Sequence, residues 1–343
     1  MIKTSFSLLI LLISVVSGLL LLGSCGSEER SRTATTSTES STGRAALSVP
    51  VFNADSAWQY IADQLEFGYR IPGTEAHLEC RDYLAAQLQA FGATVEVQEF
   101  SARLFESGRA TRAFNLIGSF NPSSRHRILL GAHWDSRYIA DHDPDQNNRT
   151  QPVPGADDGG SGVGVLLEIA RQISQQPLAN IGVDIVFFDA EDQGIDGGRE
   201  PESWGVGAQH WSRQIARSSQ RHRYGILLDM VGASGPRFGK EGFSMRFAPE
   251  VVHTVWGIAQ RLGYGHMFVN QEVPGVIDDH YFVNTIARIP MINIINRPPG
   301  TTTGFVPHWH TIHDNMEVID RSTLYAVGHT VLEVLYREDA GLL

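Results

Sequence analysis

The sequence is poor in cysteine and in positive charge. Its 343 residues include two cysteines, Cys25 and Cys80, and 27 Lys and Arg against 38 Asp and Glu, which gives a formal net charge of -11. This balance argues against binding to nucleic acid, whose phosphates require a basic surface. No H-E-x-x-H helix is present, Ser161 does not lie in a G-x-S-x-G turn, and the glycine-rich stretch 159–164 lacks the lysine of a P-loop. None of these standard motifs therefore supplies a function.

A long apolar run is present only at the N-terminus, where Lys3 precedes residues 8–22. The run is too short for a membrane-spanning helix, but it has the positive start, apolar middle and small-residue end of a secretory signal. It ends in LGSC, which resembles a bacterial lipobox. We therefore expect a lipoprotein signal peptide over 1–24 and acylation of Cys25. The alternative is an ordinary signal peptide followed by a chance cysteine.

The residues after the signal peptide divide into a tether and one domain. Residues 25–49 are rich in Ser and Thr with almost nothing apolar, so we expect a disordered tether. Residues 50–343 show no repeats and no second linker and should form a single domain. If Cys25 is acylated, Cys80 has no cysteine partner and an internal disulfide is excluded. We expect a monomer anchored to the lipid bilayer of the cell envelope, at the outer membrane or facing the periplasm.

Apolar runs that alternate with helical patterns predict an α/β fold. The first helix is predicted over 55–67 with Asp55 or Ser56 as its N-cap, and another over 161–174. Buried strands are predicted at 127–132, 183–188 and 224–228. Because strands of this kind are apolar on both faces, we expect a three-layer sandwich with a mainly parallel, mixed central sheet and helices on both faces. Ligands of such sheets bind outside the carboxyl ends of the strands.

Acidic and imidazole side chains collect where the predicted strands end. They are His133 and Asp135, Asp157 and Asp158, Asp189, Glu191 and Asp192, Asp229, Asp278, Asp279 and His280, and His308, His310 and His313. If these tips converge, the like charges cannot all stay ionised unless a cation neutralises them. Oxygen and imidazole donors without thiolate fit zinc with an open coordination position, whereas calcium or magnesium would require oxygen ligands alone. The alternative is that each acid is a solvated loop residue.

Six motifs that occur in a fixed order along the chain together indicate a family resemblance. They are GAHWDS, GADDGGSGVGVLLEIAR, FFDAED, LLDMVGA, IDDH and WHTIHDN. From about Gly73 to the C-terminus the chain resembles the zinc-dependent glutaminyl-peptide cyclotransferases of the bacterial lipoprotein type, which share a fold with zinc aminopeptidases. The resemblance implies that the domain 50–343 is catalytic. It would convert the N-terminal glutamine of peptides or exported proteins to pyroglutamate with release of ammonia.

The resemblance also implies the roles of eight residues. The ligands of a single Zn²⁺ would be Asp158, Asp192 and His310, and the general acid/base would be Glu191. Asp229 and Asp278 would be carboxylates that are hydrogen-bonded behind this base. Trp204 and Trp309 would be the indoles that line the pocket. Animal relatives carry Glu-Glu where this chain has Glu191-Asp192, but the shorter Asp remains an oxygen ligand. His308 competes with His310 as a ligand, and the neighbouring Trp309 favours His310. We further expect Asp135 and His280 to orient the ligands and Asp189 to cap a turn.

Two other functions stay open. Zinc aminopeptidases hold a second zinc through positions matching His133, Asp158 and Asp229, all of which are present. The segment 193–203, which resembles an insertion found in the cyclases, favours the cyclase. So does Asp278, which could bond to Asp229 and take the place of the second zinc. A catalytically silent binding domain on the same scaffold is disfavoured because every candidate ligand and the base are retained.

Overall fold

A six-stranded sheet crosses the centre of the structure, a computed structural model that describes residues 47–104, 108–197 and 200–343. Its strands are, in spatial order, β1 (Thr94–Arg103), β2 (Ala110–Phe120), β4 (Gly182–Phe188), β3 (Arg127–His133), β5 (His222–Asp229) and β8 (Met291–Ile295). Strands β4, β3, β5 and β8 are mutually parallel, while β2 pairs antiparallel with both β1 and β4. The mainly parallel, mixed sheet predicted from the apolar runs is confirmed.

Helices cover both faces of this sheet and complete three layers. They are α1 (Ala54–Glu66), α2 (Glu75–Ala90), α3 (Gly160–Gln175), α4 (Val206–Arg217), α5 (Gly242–Phe247), α6 (Pro249–Arg261), α7 (Asp279–Phe282) and α8 (Arg321–Asp339). Side chains alternate across a strand. Leu130 of β3 accordingly joins the core with α1, α2, α3, α6 and α8. Its neighbour Leu129 joins the opposite core with Trp211 of α4 and Phe282 of α7. Burial on both faces is why the central strands are mostly apolar.

Two local features differ from the sequence predictions. Helix α1 is capped by Asn53, whose Oδ1 accepts from the amides of Asp55 at 3.0 Å and Ser56 at 3.1 Å, so neither of those two residues is the N-cap. A two-stranded parallel sheet of β6 (Phe238–Glu241) and β7 (Phe268–Val273) was not predicted. Its strands are short and carry several polar residues, so their periodicity is weak.

The membrane-related predictions fall largely outside the described residues. The signal peptide 1–24, Cys25 and the tether up to residue 46 belong to the part of the chain that is not described. Residues Ala46–Leu343 form one compact unit, in which Cys80 is a buried free thiol. Within the described ranges no helix combines the length and the apolar character needed to cross a bilayer.

Candidate metal centre and active site

The polar tips of three parallel strands meet at the carboxyl edge of the sheet. His133 ends β3, Asp229 ends β5, and residues 189–192 follow β4 directly. A cavity of about 320 Å³ opens at this edge. All eight residues to which the family resemblance gave a role line it: Asp158, Glu191, Asp192, Trp204, Asp229, Asp278, Trp309 and His310. The structure therefore brings together side chains that are up to about 150 positions apart in the sequence.

Asp158, Asp192 and His310 form a buried set of potential metal ligands. One donor atom from each lies within 4.8 Å of the others. His310 Nε2 is 2.9 Å from Asp192 Oδ1 and 3.8 Å from Asp158 Oδ2. The buried atoms Asp158 Oδ2 and Asp192 Oδ2 have no hydrogen-bond partner in the described part of the chain. Because an unpaired buried carboxylate oxygen is costly, this donor set fits a divalent cation with three protein ligands and an open position.

A second potential donor set shares Asp158 with the first. His133 Nε2 lies 3.0 Å from Asp158 Oδ1 and 3.5 Å from Asp229 Oδ1, and the three side chains can place donor atoms within 4.8 Å of one another. This is the set that a two-zinc aminopeptidase would use. The geometry therefore also allows the two-zinc site of an aminopeptidase, the alternative that the sequence left open. A third group, Asp141, His142 and His310, meets the same distance limit but is only partly buried.

Unusual backbone conformations aim the side chains at this edge. Ala190, Met230 and His310 have φ values of 54°, 46° and 55°, in the left-handed region that residues other than glycine rarely occupy. The first two adjoin Glu191 and Asp229, and the third is itself a candidate ligand. Positive φ values at such residues concentrate at functional sites, where the surrounding contacts hold them.

Asp135 fixes the turn that carries the acid/base candidate and a ligand. Its Oδ1 accepts from the amide of Glu191 at 3.0 Å, and its Oδ2 accepts from the amide of Asp192 at 3.2 Å and from the side chain of Gln193 at 2.9 Å. Asp135 therefore orients this turn through backbone amides, and its Oδ1 also lies 3.5 Å from Nδ1 of His133.

The pKa values of the carboxylates in the site are shifted in different directions. Burial raises the pKa of Glu191 well above its ordinary value, and the charge of Asp278 raises it further. Burial likewise raises the pKa of Asp229, where Asp278 again adds to the shift. Burial also acts to raise the pKa of Asp158, but the hydrogen bond and charge of His133 outweigh it and the pKa is lowered. Glu191 is thus suited to hold a proton, while Asp158 stays an anionic donor.

A row of stacked rings forms one wall of the cavity. The ring of Trp309 stacks on His310 with centroids 3.7 Å apart, and Phe305 stacks on Trp309 at 4.3 Å. The guanidinium of Arg297 lies 4.3 Å from the centroid of Phe305. Trp204 stacks on His310 from a greater distance, 6.1 Å. Sequence reasoning missed Phe305 and Arg297, because they lie in a loop whose course no local pattern predicts.

Arg137 and Asp141 were also missed, and both lie beside candidate metal ligands. Arg137 is buried and donates to the backbone oxygen of Asp192 at 2.8 Å and to Asp141 at 2.6 Å. Asp141 Oδ1 lies 3.3 Å from His310 Nδ1. A carboxylate on the second nitrogen of a metal-binding imidazole fixes its tautomer and orientation. The short distance in sequence between Asp141 and residues 133–136 could have indicated that Asp141 lies near the site. The loop between them has no periodicity from which its course could be predicted.

Four other predicted tip residues have different partners. His308 Nε2 bonds to Asp157 Oδ2 at 2.9 Å, and neither residue belongs to a potential donor set. His280 Nε2 bonds to the buried Glu241 at 3.0 Å. The expected hydrogen bond from His280 to a candidate ligand is therefore not formed. Asp189, which was expected to cap a turn, accepts from the amide of its neighbour Ala190 at 2.8 Å and also lies 2.9 Å from Nε2 of the buried His77.

Comparison with known proteins places this site in a family. Residues 115–335 match the model of peptidase family M28. Glutaminyl-peptide cyclotransferase from Bos taurus is 25% identical over 292 residues, which cover 74% of this chain and 74% of the relative.

Two solved bacterial structures are more similar. A Zn-dependent exopeptidase from Parabacteroides distasonis has 51% identity and a TM-score of 0.82, and glutaminyl cyclase from Tannerella forsythia has 50% identity and a TM-score of 0.81. Each alignment covers 84% of this chain and 99% of the solved one.

Proposed function

Because the chain belongs to peptidase family M28 and, within it, to the glutaminyl cyclases, we propose that it converts N-terminal glutamine of peptides or proteins to pyroglutamate with release of ammonia. One observation carries this proposal: Glu191 shares a single cavity with the buried donors Asp158, Asp192 and His310. An acid/base beside a cation site is the arrangement that intramolecular attack on an amide requires.

We propose that one zinc ion is held by Asp158, Asp192 and His310. When bound there, zinc supplies Lewis-acid polarisation of the substrate's side-chain amide carbonyl. The carboxylate oxygens without hydrogen-bond partners and the imidazole of His310, whose Nδ1 lies 3.3 Å from Asp141 Oδ1, fit such an ion. The Zn-dependent relative from Parabacteroides distasonis supports the choice of metal.

Glu191 would move the proton during ring closure. Its carboxylate accepts a proton from the α-amine of the substrate as the amine nitrogen bonds to the side-chain amide carbon. The carbon–nitrogen bond of the amide then breaks, and Glu191 donates the proton to the departing ammonia. Burial raises the pKa of Glu191, which lets the carboxyl hold this proton between the two steps. Because both reacting groups belong to one residue, the site needs mainly to fix the reactive rotamer.

The aromatic wall would exclude water and hold the glutamine. Trp204 and Trp309 both line the cavity, and both rings stack on the imidazole of His310. Excluding water strengthens the electrostatic interactions in the cavity and protects against hydrolysis. Asp278, which raises the pKa of both Glu191 and Asp229, would keep a proton among these carboxylates in the place of a second metal.

The aminopeptidase remains the second candidate because His133, Asp158 and Asp229 can also converge on an ion. A direct test gives the purified protein two substrates, a Gln-initiated peptide and an aminoacyl-anilide. Pyroglutamate and ammonia from the first, without free anilide from the second, support the cyclase. Free anilide with no pyroglutamate supports the aminopeptidase, and neither product supports a silent binding domain.

We also propose that the protein is exported through its signal peptide 1–24 and anchored to the cell envelope by a lipid on Cys25, as a monomer. The support is the lipobox-like LGSC and the polar stretch that follows it. Cys25→Ser in the full chain should move the protein from the membrane fraction to the soluble fraction, whereas Cys80→Ala should not. Retention of the Cys25→Ser protein on the membrane would contradict the lipid anchor, and a dimer mass in light scattering would contradict the monomer.

A further inference from the structure

Arg297 is the one arginine or lysine that lines the catalytic cavity among the residues described. The acidic side chains that line the cavity are Asp158, Glu191, Asp192, Asp196, Asp229 and Asp278. Arg297 is separated from the candidate ligand His310 by the stacked rings of Phe305 and Trp309. The cavity is therefore acidic at its metal end and carries a single fixed positive charge at the far end of its aromatic wall.

The guanidinium of Arg297 is held in place but lacks a full set of partners. Its Nε donates to the carbonyl oxygen of Gly304 at 2.5 Å, and its plane lies over Phe305. Gly304 has a φ of 78°, and a Cβ there would lie 2.8 Å from Arg297 Nη2, so glycine is needed for this close approach. Arg297 Nη1 is buried and has no hydrogen-bond partner in the described ranges. An unpaired charged donor of this kind is costly, and arginine cannot avoid the cost by losing its proton.

Arg297 lies where the part of the substrate that follows the glutamine would be bound. Arg297 also lines a neighbouring depression of about 210 Å³, together with Val273 and Gly304. With the glutamine side chain at the metal ligands and its amine at Glu191, the next residue is the first part of the substrate that can reach the other end of the wall. The guanidinium of Arg297 lines the cavity and donates to the described residues only through Nε, and a guanidinium fork matches the geometry of a carboxylate.

We propose that Arg297 is a specificity-determining residue that binds an acidic side chain on the residue following the N-terminal glutamine. The inference rests on the proposed cyclase activity. The opposite charges at the two ends of the cavity would align such a substrate, with its amine toward the carboxylates and its acid toward Arg297. Peptides beginning Gln-Glu or Gln-Asp are therefore the preferred substrate class.

The test compares two peptides that differ only at the second residue, Gln-Glu-Ala-Ala amide and its uncharged isostere Gln-Gln-Ala-Ala amide. The wild-type kcat/KM for the first should exceed that for the second by about tenfold, the low end for a hydrogen bond to a charged group. This ratio should fall as salt is raised. Arg297→Gln should bring the ratio close to one, and Arg297→Lys should retain part of it. Arg237→Gln, which alters an exposed arginine of the same depression, should leave the ratio unchanged.

Three results would overturn the inference. One is a wild-type ratio near one, which needs no variant and so does not depend on how Arg297→Gln folds. Another is an equal loss on both peptides in Arg297→Gln with the ratio kept, which would mean that Arg297 only supports Phe305. In both cases the cyclase proposal survives, because the peptides are still converted. Failure of the wild-type protein to cyclise either peptide would refute the proposed function and this inference with it.

Discussion

Replacing Glu191 by glutamine removes the proposed proton carrier with little other change. The side chain of Glu191 makes no hydrogen bond to the described residues, and its backbone amide donates to Asp135 in either variant. Glutamine has the same shape, so no packing contact is lost. Because burial disfavours the charged carboxylate at this position, a neutral amide should not lower the free energy of unfolding. The substitution therefore isolates the chemical role of Glu191.

The rate should respond strongly while the metal content does not. General acid–base catalysis typically contributes roughly 10²- to 10⁴-fold, so kcat for ammonia release from a Gln-initiated peptide should fall by about that factor. Zinc per chain should stay unchanged because Glu191 is outside the donor set of Asp158, Asp192 and His310.

Two measurements on Glu191→Gln and on a control variant test this prediction. Continuous detection of ammonia gives kcat, and elemental analysis of the same sample gives zinc. Glu202→Gln makes the identical chemical change at an exposed position near the cavity and should leave both values unchanged. An unchanged kcat in Glu191→Gln would remove Glu191 from the mechanism. Loss of zinc in that variant would instead identify Glu191 as a ligand.

Two further predictions concern packing and stability. Ala at Gly194 would place a Cβ 2.3 Å from Trp204 Cδ2, so Gly194→Ala should displace this indole and lower kcat/KM about tenfold, measured with a Gln-initiated peptide. At the opposite edge of the sheet, burial acts to raise the pKa of Asp184, but hydrogen bonds with His222 and Arg127 outweigh it and hold the pKa below its usual value. Asp184→Asn should lower the free energy of unfolding by about 3 kcal/mol at neutral pH, because it leaves a buried guanidinium unpaired. For a lowered pKa this stabilisation is complete above the unfolded value, about 4, declines below that value, and is lost as the pH falls through the lower pKa of the folded state. Urea titrations of both proteins at neutral pH and in acid should show that the difference in free energy of unfolding between wild type and Asp184→Asn shrinks as the pH falls. A difference that is independent of pH would contradict this.

The sequence was sufficient to predict the core of the sheet and the edge that carries the site. Strands β3 and β4 are mostly apolar and buried on both faces, and that pattern indicates central parallel strands. The residues at their carboxyl ends could then be assigned to one edge. The individual roles within that edge came from a family resemblance and not from spacing.

What the sequence could not predict depends on contacts between distant loops. Asp141 and Arg297 act at the site only because tertiary structure brings their loops to His310 and Phe305. The N-cap of α1 shows the same limit at short range. Asn53, Asp55 and Ser56 are all suitable capping residues, and only the backbone geometry selects Asn53.

The central claim, one zinc ion held by Asp158, Asp192 and His310, can be tested by a single titration. The protein is stripped of metal with a chelator, zinc is added back in measured equivalents, and ammonia release from a Gln-initiated peptide is followed. The account predicts that activity rises linearly and reaches its plateau at one equivalent per chain. A plateau reached only at two equivalents would contradict it and would place a second ion at His133 and Asp229.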